Sequence, residues 1–420
     1  MSATKAAKLD EKLLQFQLPA TLRNALIAMI GIGVVSFLIA FLGFGHETSR
    51  HMDEAGHFHH TNLGYHILLI GTYFVIGLAI TGIFFTAIQH LTGSHWSVTV
   101  RRLFETYGLF TPIAGLLLVG VVFGMHDLYE WADASVREND HLIHHKSGYL
   151  NPTAFIIRCV AFIGIWTIFA YIFHGKSVGQ DKDKVVDTTK TLAKISGGFI
   201  LFFALSWCFM SFDLLMSLSP HWFSTMFGVY AFAGAFQTSL ASYLIVIAIL
   251  KKNGYLGEAV NENHYHDISK FLLGMTTFWA YVGFSQFMLI WYANIPEETF
   301  FYEMRMTGGW GYTTLALPFV KFVIPFLLLL NRPNKRDIDF LWKLAVWILA
   351  VQFFELFWLV FPANFEKFSI LHFVLAFGGT VGVVGIFGFF VFKKLEKHSL
   401  VPVGDPRLDC LLYTSPSPRD

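Results

Sequence analysis

Ten apolar stretches, each about 20 residues or longer, dominate this chain and leave it few ways to fold. They fall at residues 24–44, 65–91, 103–124, 153–174, 192–217, 225–250, 269–293, 312–330, 338–361 and 370–392. A bilayer's hydrocarbon core takes roughly 20 apolar residues per helical crossing. In that medium every backbone N–H and C=O must find its partner inside the protein, so only helices or closed barrels span it. Barrel strands alternate apolar and polar residues over short segments, and these stretches do not. The sequence therefore predicts an all-α polytopic membrane protein of about ten transmembrane helices. Residues 24–393 form that domain, with a cytoplasmic N-terminal segment 1–23 and a cytoplasmic tail 394–409. Composition agrees. Only 14% of residues are charged, against roughly a quarter in a soluble chain, so lipid is the expected solvent.

Lys and Arg set the expected orientation. One series of loops holds Lys12, Arg23, Arg101, Arg102, Lys182, Lys184, Lys251, Lys252, Lys335, Arg336, Lys393 and Lys394, among others. The opposite series holds only Arg50, Arg137, Lys146, Arg305 and Lys367. Both termini are thus expected on the cytoplasmic side, in accord with an even helix count. Residues 25–44 are long enough to span, and no cleavage site follows them, so no short signal peptide is expected.

The three cysteines, Cys159, Cys208 and Cys410, have no disulfide, zinc or haem-attachment spacing. There is no C-x-x-C-H and no four-cysteine cluster pattern, so neither a covalent c-type haem nor a cysteine-ligated iron–sulfur cluster is expected. A net charge of +1 without a basic patch gives no footing for nucleic acid. The first outer loop carries His46, His51, His57, His59, His60 and His66, but nothing fixes a ligand geometry, and no metal site is assigned to it. Residues 294–311 form a long outer link that reads as a docking surface. Residues 410–420 end in a Ser/Pro run and read as a non-native tail, an expectation that resequencing the 3′ end of the gene tests.

An ionisable side chain near the bilayer centre costs ~2.5–3.5 kcal/mol on insertion scales, so each asks for a partner or a task. Lys321 sits mid-span between Pro318 and Pro325, and Glu355 is the nearest acid along the chain. The two form either a structural pair or a proton- or substrate-linked site. Asp213 lies about two turns inside the outer end of the fifth span, with Arg158 at similar depth as its expected counter-ion. His126, Asp127 and His221 lie at the same side. Carboxylate with imidazole is the pairing that takes protons from a hydroquinone, so these groups outline an outward polar pocket; interfacial capping explains them equally well. Gln286, Gln237, Ser239, Tyr243 and Tyr230 add hydrogen-bonding groups towards mid-membrane, either as interhelical glue or as part of a proton route. The inner halves of the fifth, seventh and ninth spans are almost wholly apolar, so no inward half of such a route is visible. Gly120/Gly124 and Gly378/Gly382 have the spacing for close helix packing.

Residues 212–234 (FDLLMSLSPHWFSTMFGVYAFAG), 278–298 (FWAYVGFSQFMLIWYANIPEE) and the Arg305…Trp310 segment together resemble the NrfD-type membrane subunits, the family that includes the membrane anchor of polysulfide reductase. Within these they look most like the ActF-type subunits of alternative complex III, a bacterial quinol:cytochrome c oxidoreductase. The resemblance covers most of the sequence, and its specific motifs lie on spans five to seven. It implies two four-helix bundles with flanking helices in a bacterial inner membrane. It also implies a place beside a quinone-binding paralogous membrane subunit and beneath periplasmic iron–sulfur and multihaem cytochrome c subunits. Such a subunit scaffolds its neighbours and assists proton transfer; quinone or quinol is the only cofactor implied, and family members differ in whether they bind it. Asp213, His221, Gln286 and the Pro296-Glu297-Glu298 turn sit in the matching motifs. Two other functions stay open: a secondary transporter or ion channel, and a quinol-oxidising anchor for a molybdopterin enzyme.

Overall fold

A computed structural model describes residues 11–44, 47–52 and 58–408. His46, His57, Cys410 and the segment 410–420 lie outside them. Among the described residues, ten helices are long and apolar enough to cross a membrane. They are α1 (Ala20–Gly43), α2 (Leu63–Leu91), α3 (Val98–Phe123), α4 (Pro152–Asp183) and α5 (Val186–Leu214), followed by α6 (Phe227–Lys252), α7 (Glu262–Ala293), α8 (Trp310–Leu330), α9 (Ile338–Asn364) and α10 (Ile370–Leu395). The protein is an all-α polytopic membrane protein, as the hydropathy pattern predicts. Several helices outrun their apolar stretches: α4 continues nine residues past His174 to Asp183, and α7 begins at Glu262. Hydropathy marks only the part of a helix that lipid surrounds, whereas caps mark its ends. Asn62, Asn151, Asn261, Asp337 and Ser369 each accept a backbone N–H at a helix start, which satisfies donors the helix itself cannot.

The spans assemble as two four-helix bundles, α2–α5 and α6–α9, with α1 and α10 paired alongside. Glycine sets that pairing. A Cβ built on Gly33 would lie 2.5 Å from the Gly382 Cα, and one on Gly385 would lie 2.9 Å from the Met29 Cβ. Gly378, one turn before Gly382, faces Ser36 in the same way. Gly120 packs on Leu68, and Gly124 on Tyr65, so both glycine pairs serve close approach. α2 runs through the centre, touching α3, α4, α5, α6, α9 and α10, and is buried along nearly its whole length. It is largely apolar with no polar face, and the polar residues it carries, such as Thr72, Thr81 and Gln89, are buried with the rest.

Two features have no counterpart in the hydropathy pattern. The link from α1 to α2 folds as an antiparallel hairpin of β1 (Glu47–Met52) and β2 (Phe58–Thr61). The segment after α10 is not a free tail: Leu400, Val401 and Leu408 are buried in the core, and the Leu400 amide donates to the Leu14 carbonyl at 2.9 Å. The reason lies in α3. Arg101 and Arg102, which sequence places among the surface cations, are 0% and 1% exposed. Arg101 is paired with Asp405 at 2.5 Å and with Glu105 at 3.3 Å; Arg102 is paired with Asp181 at 2.5 Å and donates to the Ser399 carbonyl at 3.2 Å. Burial works to raise the Asp405 carboxyl, but Arg407 and Arg101 hold it well below the usual carboxylate range. Buried charges demand partners, and here the C-terminal segment supplies one of them.

Candidate functional site

The second bundle closes around a mid-span ion pair. α8 is not a regular helix: Phe319–Val323 form a π-helical turn between Pro318 and Pro325. Proline removes an N–H and leaves a carbonyl without its helical partner. Trp347 Nε1 donates to one carbonyl of this turn, that of Val320, at 2.9 Å. π-turns within helices recur at functional sites, and Lys321 occupies this one.

Lys321 Nζ donates to Glu355 Oε2 and, at 2.6 Å, to Gln352 Oε1. Trp279 Nε1 on α7 donates to the other carboxylate oxygen at 2.6 Å, and the ammonium lies 5.0 Å from the Trp279 ring centroid. Thr238 on α6 donates to Gln352 Oε1 at 3.0 Å. The Tyr230 hydroxyl faces the same carboxylate. Both charged side chains are 2% exposed. Helix spacing explains the convergence: Gly234 and Thr238 are four apart on α6, and Gln352 and Glu355 three apart on α9, so each pair shares a face. Gly234 makes room, since a Cβ there would meet Glu355, Gln352 and Lys321 atoms at 3.0–3.2 Å. The pair is desolvated, bonded on both sides and held by four helices. Both carboxylate oxygens accept a hydrogen bond and the ammonium has a second acceptor in Gln352, the kind of added bonding that lets a buried ion pair survive.

The first bundle holds the second charged site. Arg158 grips Asp213 with two parallel bonds, Nε to Oδ2 at 2.8 Å and Nη2 to Oδ1 at 2.9 Å. The guanidinium also donates to the Tyr149 carbonyl at 3.0 Å and lies 3.8 Å from the Tyr149 ring centroid. Asp213 is wholly buried. Both of its oxygens are committed to one bidentate fork.

The imidazoles expected beside Asp213 lie elsewhere. His126 is exposed. Asp127 accepts the Asn62 amide at 2.9 Å while its carbonyl accepts the Thr61 hydroxyl at 2.7 Å, so it ties the hairpin to the end of α3. Interfacial capping is the reading of Asp127 that these bonds support. His221 pairs through Nε2 with Asp140 Oδ2 at 2.7 Å, a carboxylate–imidazole pair built with a different acid. Asp140 also caps the short helix His141–Lys146, accepting the Leu142 and Ile143 amides at 2.9 Å each, and Lys146 donates to the Pro220 carbonyl at 2.7 Å. Together these bonds latch two loops. Slight burial works to raise the Asp140 carboxyl; the Ile143 amide, the His221 imidazole and the Leu142 amide outweigh it and hold the carboxyl below its ordinary value of 3.8. A depressed folded-state pKa stabilises above the unfolded value and is lost as pH falls through the folded one. The latch is therefore expected to hold at neutral pH and to open only below about pH 3.8, seen as protease cleavage within residues 140–146 that appears only on acidification.

The remaining polar groups divide between glue and the ion pair. Gln237 donates to Thr276 at 2.9 Å. Gln286 lies seven residues beyond Trp279, on the same stripe of α7 as Gly283, which packs on Tyr230. Ser239 bonds Thr81 on α2, and Tyr73 on α2 bonds Ser211 on α5 at 2.9 Å, so α2 joins the bundles through hydroxyls. His66, from the His-rich loop, is buried between the Asn62 carbonyl at 3.2 Å and Asn364 at 2.7 Å; it packs the core. Among the described residues no group of three or more His, Cys, Asp or Glu is placed to hold a metal ion. Arg305, expected within the outer docking link, turns inward and donates to the Phe301, Trp358 and Leu359 carbonyls at 2.7–3.2 Å. Glu297 stays exposed on the short helix after α7, Pro296–Glu303.

Gln352, Trp279, Asp140 and the Arg101–Asp405 network escape a reading of single charges. The one signal in the sequence is Gln352, a polar residue a turn from Glu355 in an apolar run. Comparison with protein-family models finds none that matches the chain, and comparison with curated proteins finds no match.

Proposed function

We propose that this chain is a membrane subunit of a bacterial quinol:cytochrome c oxidoreductase of the alternative complex III type. It lies in the cytoplasmic membrane with its Lys/Arg-rich face and both termini on the cytoplasmic side. It scaffolds a quinone-binding paralogous subunit and docks periplasmic iron–sulfur and multihaem cytochrome c subunits. Its own chemistry is proton handling. The observation that carries this reading is where the family-like stretches meet: residues 212–234 supply Asp213, Tyr230 and Gly234, and residues 278–298 supply Trp279. Three of these four surround the Lys321–Glu355 pair. A carboxylate and an amine held in hydrocarbon, with hydroxyl and amide neighbours, can exchange a proton without a large rearrangement, as intramembrane relays require.

Quinol, when bound, supplies electrons and protons. The group that suits its hydroxyl is Nδ1 of His221, because the Asp140 carboxylate on Nε2 orients the ring. Asp213 does not suit it, since Arg158 occupies both oxygens. Asp213→Asn is therefore expected to leave quinol:cytochrome c turnover within about twofold of wild type in the intact complex, far from the 10²–10⁴ loss of an essential acid–base group. A loss beyond tenfold with assembly preserved would return Asp213 to the proton chemistry.

The proposal is tested by purifying the native complex and identifying its subunits. Co-purification of a paralogous membrane protein, an iron–sulfur protein and a multihaem cytochrome is expected; a molybdopterin subunit in their place would instead make the chain that enzyme's anchor. One observation favours a second reading. α8 is interrupted at a buried lysine, and interrupted helices line substrate sites in secondary transporters. A chain that purifies alone and moves a solute in proteoliposomes would establish that function.

A further inference from the structure

Between the α1–α10 pair and the second bundle lies a cleft of about 380 Å³, within the size range of ligand sites. Its walls are apolar side chains almost throughout, with Tyr107, Ser242 and Thr380 the residues that carry hydroxyls. It runs along α10 from Phe377, seven residues after the helix starts, to Phe392 near its Lys/Arg-rich end. At 1.5 Å per residue that wall is on the order of 20 Å long, enough to cover one leaflet of a ~30 Å hydrocarbon core. Val346 and Phe377 on its walls are 47% and 43% exposed, so the cleft is open sideways.

The decisive feature is at its mouth. Leu26 on α1, Ile249 on α6, Val346 on α9 and Val391 on α10 all line the cleft. Arg23, Lys252, Lys343 and Lys394 each stand three residues from one of them, towards the Lys/Arg-rich face. Residues three apart share a helix face, so every one of these four helices ends the cleft with a cation. Arg23 and Lys343 are exposed. Lys252 is paired with Asp339 at 3.3 Å, and neighbouring Lys393 with Glu396 at 2.8 Å, which leaves an excess of positive charge. An apolar slot one leaflet deep under a ring of cations is complementary to one kind of molecule, an acyl chain with an anionic head.

We infer that this cleft is a binding site for one anionic phospholipid, its acyl chain against α10 and its phosphate among Arg23, Lys343 and Lys394. Basic side chains at the membrane surface attract anionic lipid additively, and the slot confines the acyl tail that neutral lipid would also offer.

Native mass spectrometry of the purified protein, delipidated and then titrated with phosphatidylglycerol or phosphatidylcholine of identical acyl tails, tests this. Wild type is expected to retain one phosphatidylglycerol at least tenfold more tightly than phosphatidylcholine. Arg23→Gln with Lys343→Gln, both at exposed positions, should remove that preference while leaving phosphatidylcholine binding unchanged. Ala350→Trp, on the cleft wall, should abolish binding of both. Equal retention of the two lipids by wild type, an unaltered preference in the double charge variant, or displacement of phosphatidylglycerol by a long-tailed quinone at equal concentration would overturn the assignment. The charge variants keep the test decisive even where Ala350→Trp fails to fold.

Discussion

Lys321→Met is expected to cost the folded protein about 3–5 kcal/mol, the penalty for stranding one member of a buried ion pair. Glu355 would keep its bond from Trp279 but lose its cation, in a place water does not reach. The carboxylate's best escape is to take up a proton, which would convert part of that loss into a smaller hydrogen-bonding deficit. The double variant Lys321→Met/Glu355→Gln removes both charges while keeping an acceptor for Trp279, so it should regain most of the stability. Reversible unfolding in mixed micelles, scored for wild type, both singles and the double, measures the coupling directly. A single Lys321→Met variant as stable as wild type would show that Glu355 is protonated at little cost. Turnover of the assembled complex then separates two roles. A stable double variant with normal activity assigns the pair to structure; a stable but proton-uncoupled one assigns it to the reaction.

Gly382→Leu should be nearly as damaging. The α1 and α10 backbones meet at Gly33 and Gly382 with no room for a Cβ. Overpacking typically costs about 1–3 kcal/mol where neighbours can shift. Here the obstacle is backbone, so the helices must separate, and contacts along Gly378 and Gly385 go with them. The expected result is loss of α1 from the assembled protein, read as new protease sensitivity between residues 44 and 62 and as lower yield from detergent. Gly382→Ala should show the same trend more weakly. Normal packing in the leucine variant would mean that the pair is held by something other than close approach.

Sequence reveals the ten spans because lipid acts on each helix separately, so the signal is local. It also reveals Lys321 with Glu355 and Arg158 with Asp213, because charge in hydrocarbon is rare enough to search for its partner. The same logic fails for Arg101 and Arg102. They stand at the start of a span, where positive charge is ordinary, and the Asp405 carboxylate that pairs with Arg101 lies 304 positions away, in a stretch with no apolar signature. Asp140 is invisible for a similar reason: an acid in a polar loop has no unusual cost until its bonds to His221 and to the cap are known. The β-hairpin escapes because its residues are polar and short of any hydropathy pattern. Gln352 and Trp279 become meaningful only when α7, α8 and α9 are placed around one point.

The burial of α2 bears on how the protein is made. Nearly all the final neighbours of this helix, α10 among them, are synthesised after it. Until then a span with no natural lipid side must wait in the bilayer with its small and hydroxyl-bearing side chains bare. Assembly in the membrane proceeds by insertion first and helix association afterwards, so a chain interrupted after α5 would leave α2 half-wrapped. The core helix α2 is fully covered only once α10, more than 270 positions further along the chain, has been made and packed against it.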